Sequence, residues 1–156
     1  MRETRLAVYL DIENLVHPFR ESGLWGQGIG LVASFLRDVG RMGTVVVALA
    51  VCDRDAWRHV AFPMAELGVR VFAHSGGPDA ADVALVEHIR GELPPSVGTI
   101  VIASGDHLFA AVASELRAEG RQVVAASLPG ALSHQLYGSV DSTHLLCYEP
   151  TRTMAA

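Results

Sequence analysis

The chain has 156 residues, half of them apolar, and a formal net charge of −5, which suits one globular domain with a real core and excludes a broad basic face that would hold nucleic acid through many phosphate contacts. All twelve basic residues are arginine, so a P-loop, a Schiff base and a lysine general base are excluded. There is no run of about 18 apolar residues, and the amino terminus reaches Asp11 too soon for a signal peptide, so the expectation is a soluble cytoplasmic protein with no membrane partner.

In chain order, Leu6 to Asp11 reads as a first strand, apolar until it ends in a carboxylate. The segment from Val16 to Gly28 reads as a long connection, in which Arg20 could grip phosphate and Trp25 could stack a base. Within it and just beyond, GQGIG at 26–30 does not follow a strand as a dinucleotide fingerprint would. Ile29, Val32, Phe35, Leu36 and Val39 have helical spacing, and Val45 to Val51 reads as a second strand. After it come Asp53, Arg54, Trp57 and Arg58, with Arg54 and Arg58 as candidates for phosphate-facing charge. Trp57, Val60, Ala61 and Met64 give the next helical period, followed by a strand over Val69 to Ala73. Another helix is marked by Val83, Val86, Ile89 and Leu93, then closed by Pro94 and Pro95. Ile100 to Ser104 is a fourth strand, Phe109 to Leu116 a helix, and Gln122 to Ala126 a fifth strand. The tail offers a short helix over Ala131 to Tyr137 and an edge strand over His144 to Tyr148, whose exposed end from Leu145 could pair with another chain in a homo-oligomer. Cys52 and Cys147 lie in or beside apolar runs and are expected as reduced, buried thiols.

Strand–helix alternation predicts an α/β fold, a three-layer sandwich whose parallel central sheet has the order 3-2-1-4-5 and helices on both faces. That order makes the first and fourth strands neighbours at the switch point, where open α/β sheets place ligands. Asp11 and Asn14 then meet Ser104, Asp106 and His107 at one sheet edge, with Asp79 and Asp82 at the start of the helix after SGGP. Two carboxylates about 4 Å apart repel by roughly 4 kcal/mol at an effective dielectric near 20, so such a cluster needs protons, arginines or a divalent cation. Oxygen donors without thiolate favour Mg²⁺ or Mn²⁺, and the chemistry suits in-line hydrolysis of a phosphodiester. Helix capping competes as an explanation for Asp79, Asp82 and Asp106, and prevails over a metal role for Asp79 alone, while Asn14 could bond its own turn. Asp11 has no helix immediately after it in this reading.

YLDIEN with Asp11 and Asn14, PDAADVALVEHI with Asp82, and VIASGDHLF with Asp106 together resemble the NYN domains, a branch of the PIN-like nucleases. The resemblance spans nearly the whole chain, giving one NYN/PIN-like domain over residues 1–150 and a short tail over 151–156. It implies a Rossmannoid PIN-like fold, a divalent metal and endoribonuclease activity on RNA. By position, Asp11, Asp82 and Asp106 take the metal-ligand roles and Asn14 joins them as a catalytic residue; Ser104, His107, Arg20, Arg54 and Arg58 are the candidates for substrate contact. Two positions depart from the family's pattern: Leu108 stands where a further aspartate is common, and Asp79 where a lysine often precedes the helix aspartate. They leave open an alternative, a catalytically weak or inactive RNA-binding or protein-interaction module on the same fold. A phosphoacceptor domain of similar topology fits poorly, because the first strand ends DIE rather than DxD and there is no lysine.

Overall fold

In the computed structural model, residues 3–20, 23–74, 76–77 and 79–147 are described, the side chains of residues 17 and 18 excepted. The strands are β1 (Arg5–Asp11), β2 (Thr44–Asp53), β3 (Arg70–His74), β4 (Thr99–Ala103), β5 (Gln122–Ser127) and β6 (Ser142–Leu145). The helices are α1 (Ile12–Arg20), α2 (Trp25–Gly40), α3 (Arg54–Glu66), α4 (Ala80–Glu92), α5 (Ala110–Ala118) and α6 (His134–Tyr137), with a 3-10 turn over His107–Phe109 ahead of α5. All pairings are parallel, and the order is β3-β2-β1-β4-β5-β6. The five-strand order read from the sequence is therefore extended by a sixth strand. It starts two residues earlier than expected and ends at Leu145; Tyr148 lies outside the described residues.

Alternation along the strands divides the interior into two cores. Leu6, Val8 and Leu10 of β1 join Val101 and Ala103 of β4 against α1, α2 and α3. Ala7 and Tyr9 join Ile100 and Ile102 against α4, α5 and α6. By the same period of two, Asp11 and Ser104 fall on the α4 side as β1 and β4 run out, with Leu10 opposite Ala103 fixing the register. Burying runs of Val, Ile and Leu on both faces is what an all-parallel sheet requires.

Several local expectations are corrected. Residues 12–20 form α1, so Asp11 runs straight into a helix rather than a long connection. On α4 the buried face is Ala81, Asp82, Leu85 and Ile89, whereas Val83 is 50% exposed, because the helix turns its aspartate inward along with the apolar positions. Trp57 is likewise half-exposed, its indole N–H donating to the Val71 carbonyl at 3.2 Å. Cys52 is buried, but Cys147 is exposed beyond the end of β6; both are free thiols. No helix among the described residues is long and apolar enough to cross a membrane.

Away from the sheet edge, the Tyr9 hydroxyl, wholly buried, bonds His88 Nδ1 at 3.0 Å, and His88 Nε2 lies 3.0 Å from Glu92. This chain pins α4 to β1. Gly105, just after β4, packs against the loop before α6, where a Cβ would lie 2.0 Å from the Ala131 carbonyl oxygen, and its own carbonyl accepts from Ser133 N at 2.9 Å. Backbone cannot yield as a flexible side chain can. Gly105→Ala should therefore destabilise the protein by about 2–3 kcal/mol, read as a lower urea midpoint at unchanged slope.

Candidate metal centre

The site is built where β1 and β4 end and α4 begins. Asp11 is 5% exposed and caps α1, its Oδ1 accepting from Asn14 N at 3.3 Å. Ser104, fully buried, donates its hydroxyl to Asp11 Oδ2 at 3.2 Å while its Oγ accepts from Asp106 N at 3.2 Å. One hydroxyl thus ties the ends of two neighbouring strands. Asp106 caps the 3-10 turn by accepting from Leu108 N at 2.9 Å, and it lies 3.2 Å from the exposed His107 ring.

Asp82 is the hub. It is 5% exposed, on the same helical face as Leu85 and Ile89, and its Oδ1 is buried with no hydrogen-bond partner. Carboxylate oxygens of Asp79, Asp82 and Asp106 all lie within 4.8 Å of one another, a grouping that could hold a metal ion. Asp11 is not among those three but also lies against Asp82, close enough for the two carboxyls to share a proton. Burial first, and then Asp11 and Asp106 beside it, push the Asp82 carboxyl up to about 9. Burial also raises Asp11 above the ordinary carboxylate range, against the lowering effect of its bonds to Asp82, Asn14 and Ser104. No ion pair among the described residues reaches Asp11, Asp79 or Asp82.

Asn14, whose backbone N–H bonds Asp11, carries in its Oδ1 a second buried oxygen without a partner. Two orphaned oxygens and a donor set made only of oxygen fit a hard divalent cation, since buried polar atoms are otherwise paired. Asp79 was expected to cap α4. It occupies the cap position but its side chain makes no capping bond, and the carboxylate joins Asp82 and Asp106 instead.

The substrate-contact candidates divide. Ser104 has no exposed surface and is engaged by the Asp11 carboxylate and the Asp106 backbone N–H. Arg20 forks across Asp53 at 2.6 Å and Asp55 at 3.1 Å. Trp25 stacks on His59, ring centroids 4.6 Å apart and planes within 8°, so one face of the indole is covered. Arg54 and Arg58 are exposed on α3 and enter no ion pair among the described residues, and His107 is exposed beside Asp106. A groove of about 960 Å³ runs between α2 and β6, lined by Gly26, Gly30, Phe35 and His144 among others, and shares no residue with the acids.

The sequence matches the NYN domain family over residues 5–146, nearly its whole length, and the chain belongs to that family. No curated protein matches it. Among solved structures it is similar to a protein of unknown function from Vibrio parahaemolyticus, with 17% identity, a TM-score of 0.72, and coverage of 94% of this chain and 97% of that one. At that identity the likeness concerns the fold. The NYN match points to a PIN-like nuclease fold, and the cluster of Asp79, Asp82 and Asp106 sits where α4 begins and the chain leaves β4.

The raised Asp82 carboxyl makes stability depend on pH. A carboxyl whose folded value lies above its unfolded one favours the fold fully below about pH 4, and that contribution is lost as pH rises toward 9. Asp82→Asn removes the loss. In EDTA the variant should match the wild type near pH 4 and exceed it by about 2 kcal/mol near neutrality, a rise of about 4–8 °C in Tm. Melting curves across that range check it, and a gap that shrinks with rising pH is the contrary result.

Proposed function

We propose that this NYN-domain protein is a metal-dependent endoribonuclease that hydrolyses RNA phosphodiester bonds at the edge formed by β1, β4 and α4. The observation that carries this reading is Asp82, a buried carboxyl with an unpartnered oxygen and three other acids around it. Asp11, Asp82 and Asp106 are the ligands assigned to Mg²⁺ or Mn²⁺. Such an ion, when bound, supplies Lewis-acid polarisation of a water and compensates charge on the phosphate.

The chain's own groups do the remaining work. Asn14 Oδ1 accepts from a water and orients it as nucleophile. Ser104 acts as a positioning residue, keeping Asp11 and the Asp106 backbone at fixed separation. The capping bond from Leu108 N holds one Asp106 oxygen and leaves the other for a ligand. His107 can donate to a phosphate oxygen, and exposed Arg54 and Arg58 can hold neighbouring phosphates at the same sheet edge. Arg20 is the weakest of the basic candidates, because its guanidinium already serves two carboxylates.

Leu108 favours a second reading, an RNA-binding or protein-interaction module without turnover. It lies next to the acid edge, half-buried, and offers that edge only its backbone N–H. One assay separates the two. With structured and single-stranded RNA in Mn²⁺ or Mg²⁺, the wild type should cut, EDTA should stop it, and Asp11→Asn or Asp106→Asn should each lower the rate roughly 100-fold. Retention of RNA without product in any metal supports the module. Cleavage that survives both substitutions marks a contaminating nuclease and sinks the enzymatic reading.

A further inference from the structure

We infer that Asp79 is a ligand of the same cation, supplied by the turn ahead of α4 rather than by a strand end. The inference rests on the reading of the acid edge as a cation site and adds a residue to it. Asp79 is the one non-glycine residue among those described with a left-handed backbone, φ 67° and ψ 2°. It occupies the position before α4 where a carboxylate ordinarily accepts a backbone N–H. Elsewhere in this chain that bond is made: Asp53 accepts from Ala56 at 2.7 Å, Asp106 from Leu108 at 2.9 Å, and Ser133 from Leu136 at 3.1 Å. Asp79 makes none.

Its carboxylate instead joins those of Asp82 and Asp106, within 4.8 Å of both, although Asp79 is exposed and solvent is open to it. Three like charges at that spacing repel unless something positive stands among them. No arginine does so among the described residues, since the ion pairs reach neither Asp79 nor Asp82. An independent observation points to a ligand. Asp82, 95% out of solvent and itself one of the three, has an oxygen, Oδ1, that no donor satisfies. The β4 side contributes no acid after Asp106, because the next positions are His107 and Leu108. Asp79 provides from α4 what that side lacks, a third carboxylate on the open side of the buried Asp82.

The test is Mn²⁺ binding by the full chain, followed by calorimetry and by the electron paramagnetic resonance of free Mn²⁺. Asp79→Asn is the key variant, because asparagine tolerates the left-handed backbone while losing the charge. It should weaken Mn²⁺ about tenfold or more without lowering Tm in EDTA, where losing one of three mutually repelling charges can only help the fold. Asp79→Gly should weaken Mn²⁺ equally while raising Tm in EDTA, since glycine accepts that backbone without strain. Glu66→Gln, an exposed acid at the end of α3, controls for net charge and should leave affinity unchanged. Wild-type binding that Asp82→Asn abolishes but Asp79→Asn leaves intact overturns this inference alone. Equal weakening by Glu66→Gln and Asp79→Asn also overturns it, as a long-range charge effect. A wild type that binds no Mn²⁺ overturns both the inference and the reading beneath it.

Discussion

Pressing the Asp82 carboxyl against Asp11 in a dry sheet edge is the constraint on which the rest of the site depends. Two buried acids without a counter-charge are expensive, several kcal/mol before any compensation. The surrounding structure reduces that cost without removing it. A backbone N–H from Asn14 and a hydroxyl from Ser104 serve Asp11, while Asp82 receives no donor at Oδ1. What remains is a carboxyl that burial and its acidic neighbours hold toward the protonated form, with one oxygen still unpartnered.

Charge along the sheet edge is arranged in two unlike halves. At the ends of β2 and β3, acids are matched within the chain: Arg20 takes Asp53 and Asp55, and His74 lies 2.9 Å from Glu13. At the ends of β1 and β4, Asp11, Asp79 and Asp82 have no basic partner among the described residues, and Asp106 has only a histidine. One half is therefore structural and self-neutralised. The other is open to an external cation, and the net charge of −5 is consistent with an edge completed from solution. The Tyr9–His88–Glu92 chain links the two layers behind it, bonding β1 two residues before Asp11 and α4 six residues after Asp82.

Most of this was legible in the sequence, for reasons that can be located. Apolar runs bounded by glycine and proline gave the five strands, and parallel crossovers left few orders for them. The order placed Asp11 beside Asp106, and period-two alternation sets Ser104 on the same face as Asp11. The failures share a cause. Residues 12–20 carry Pro18 and few clear stops, so α1 read as a loop, and the capping role of Asp11 was lost with it. The face of α4 was misjudged because Val83 and Val86 outweigh Asp82 on any hydropathy pattern, while tertiary contact with Asp11 and Asp106 decides the orientation. Asp79 could not be separated from an ordinary cap, since only its backbone angle and missing bond distinguish it. Arg20 looked like a phosphate ligand because Asp53 and Asp55 are more than thirty residues away in sequence.

Because all six strands run the same way, every strand begins at one rim and ends at the other. The starting rim is stitched by backbone bonds from Thr44 N to Thr4 O, Gly98 N to Arg5 O, and Gln122 N to Gly98 O, and by the Asp141 carboxylate, which accepts from Val123 N and Arg117. None of the clustered acids lies there. The molecule thus has one end free of the clustered acids and one that carries them, separated by the length of a strand. A fluorophore, an affinity handle or a covalent tether at the turn over residues 94–98 leaves the acid-bearing end facing outward, which makes this fold well suited to immobilisation on a surface.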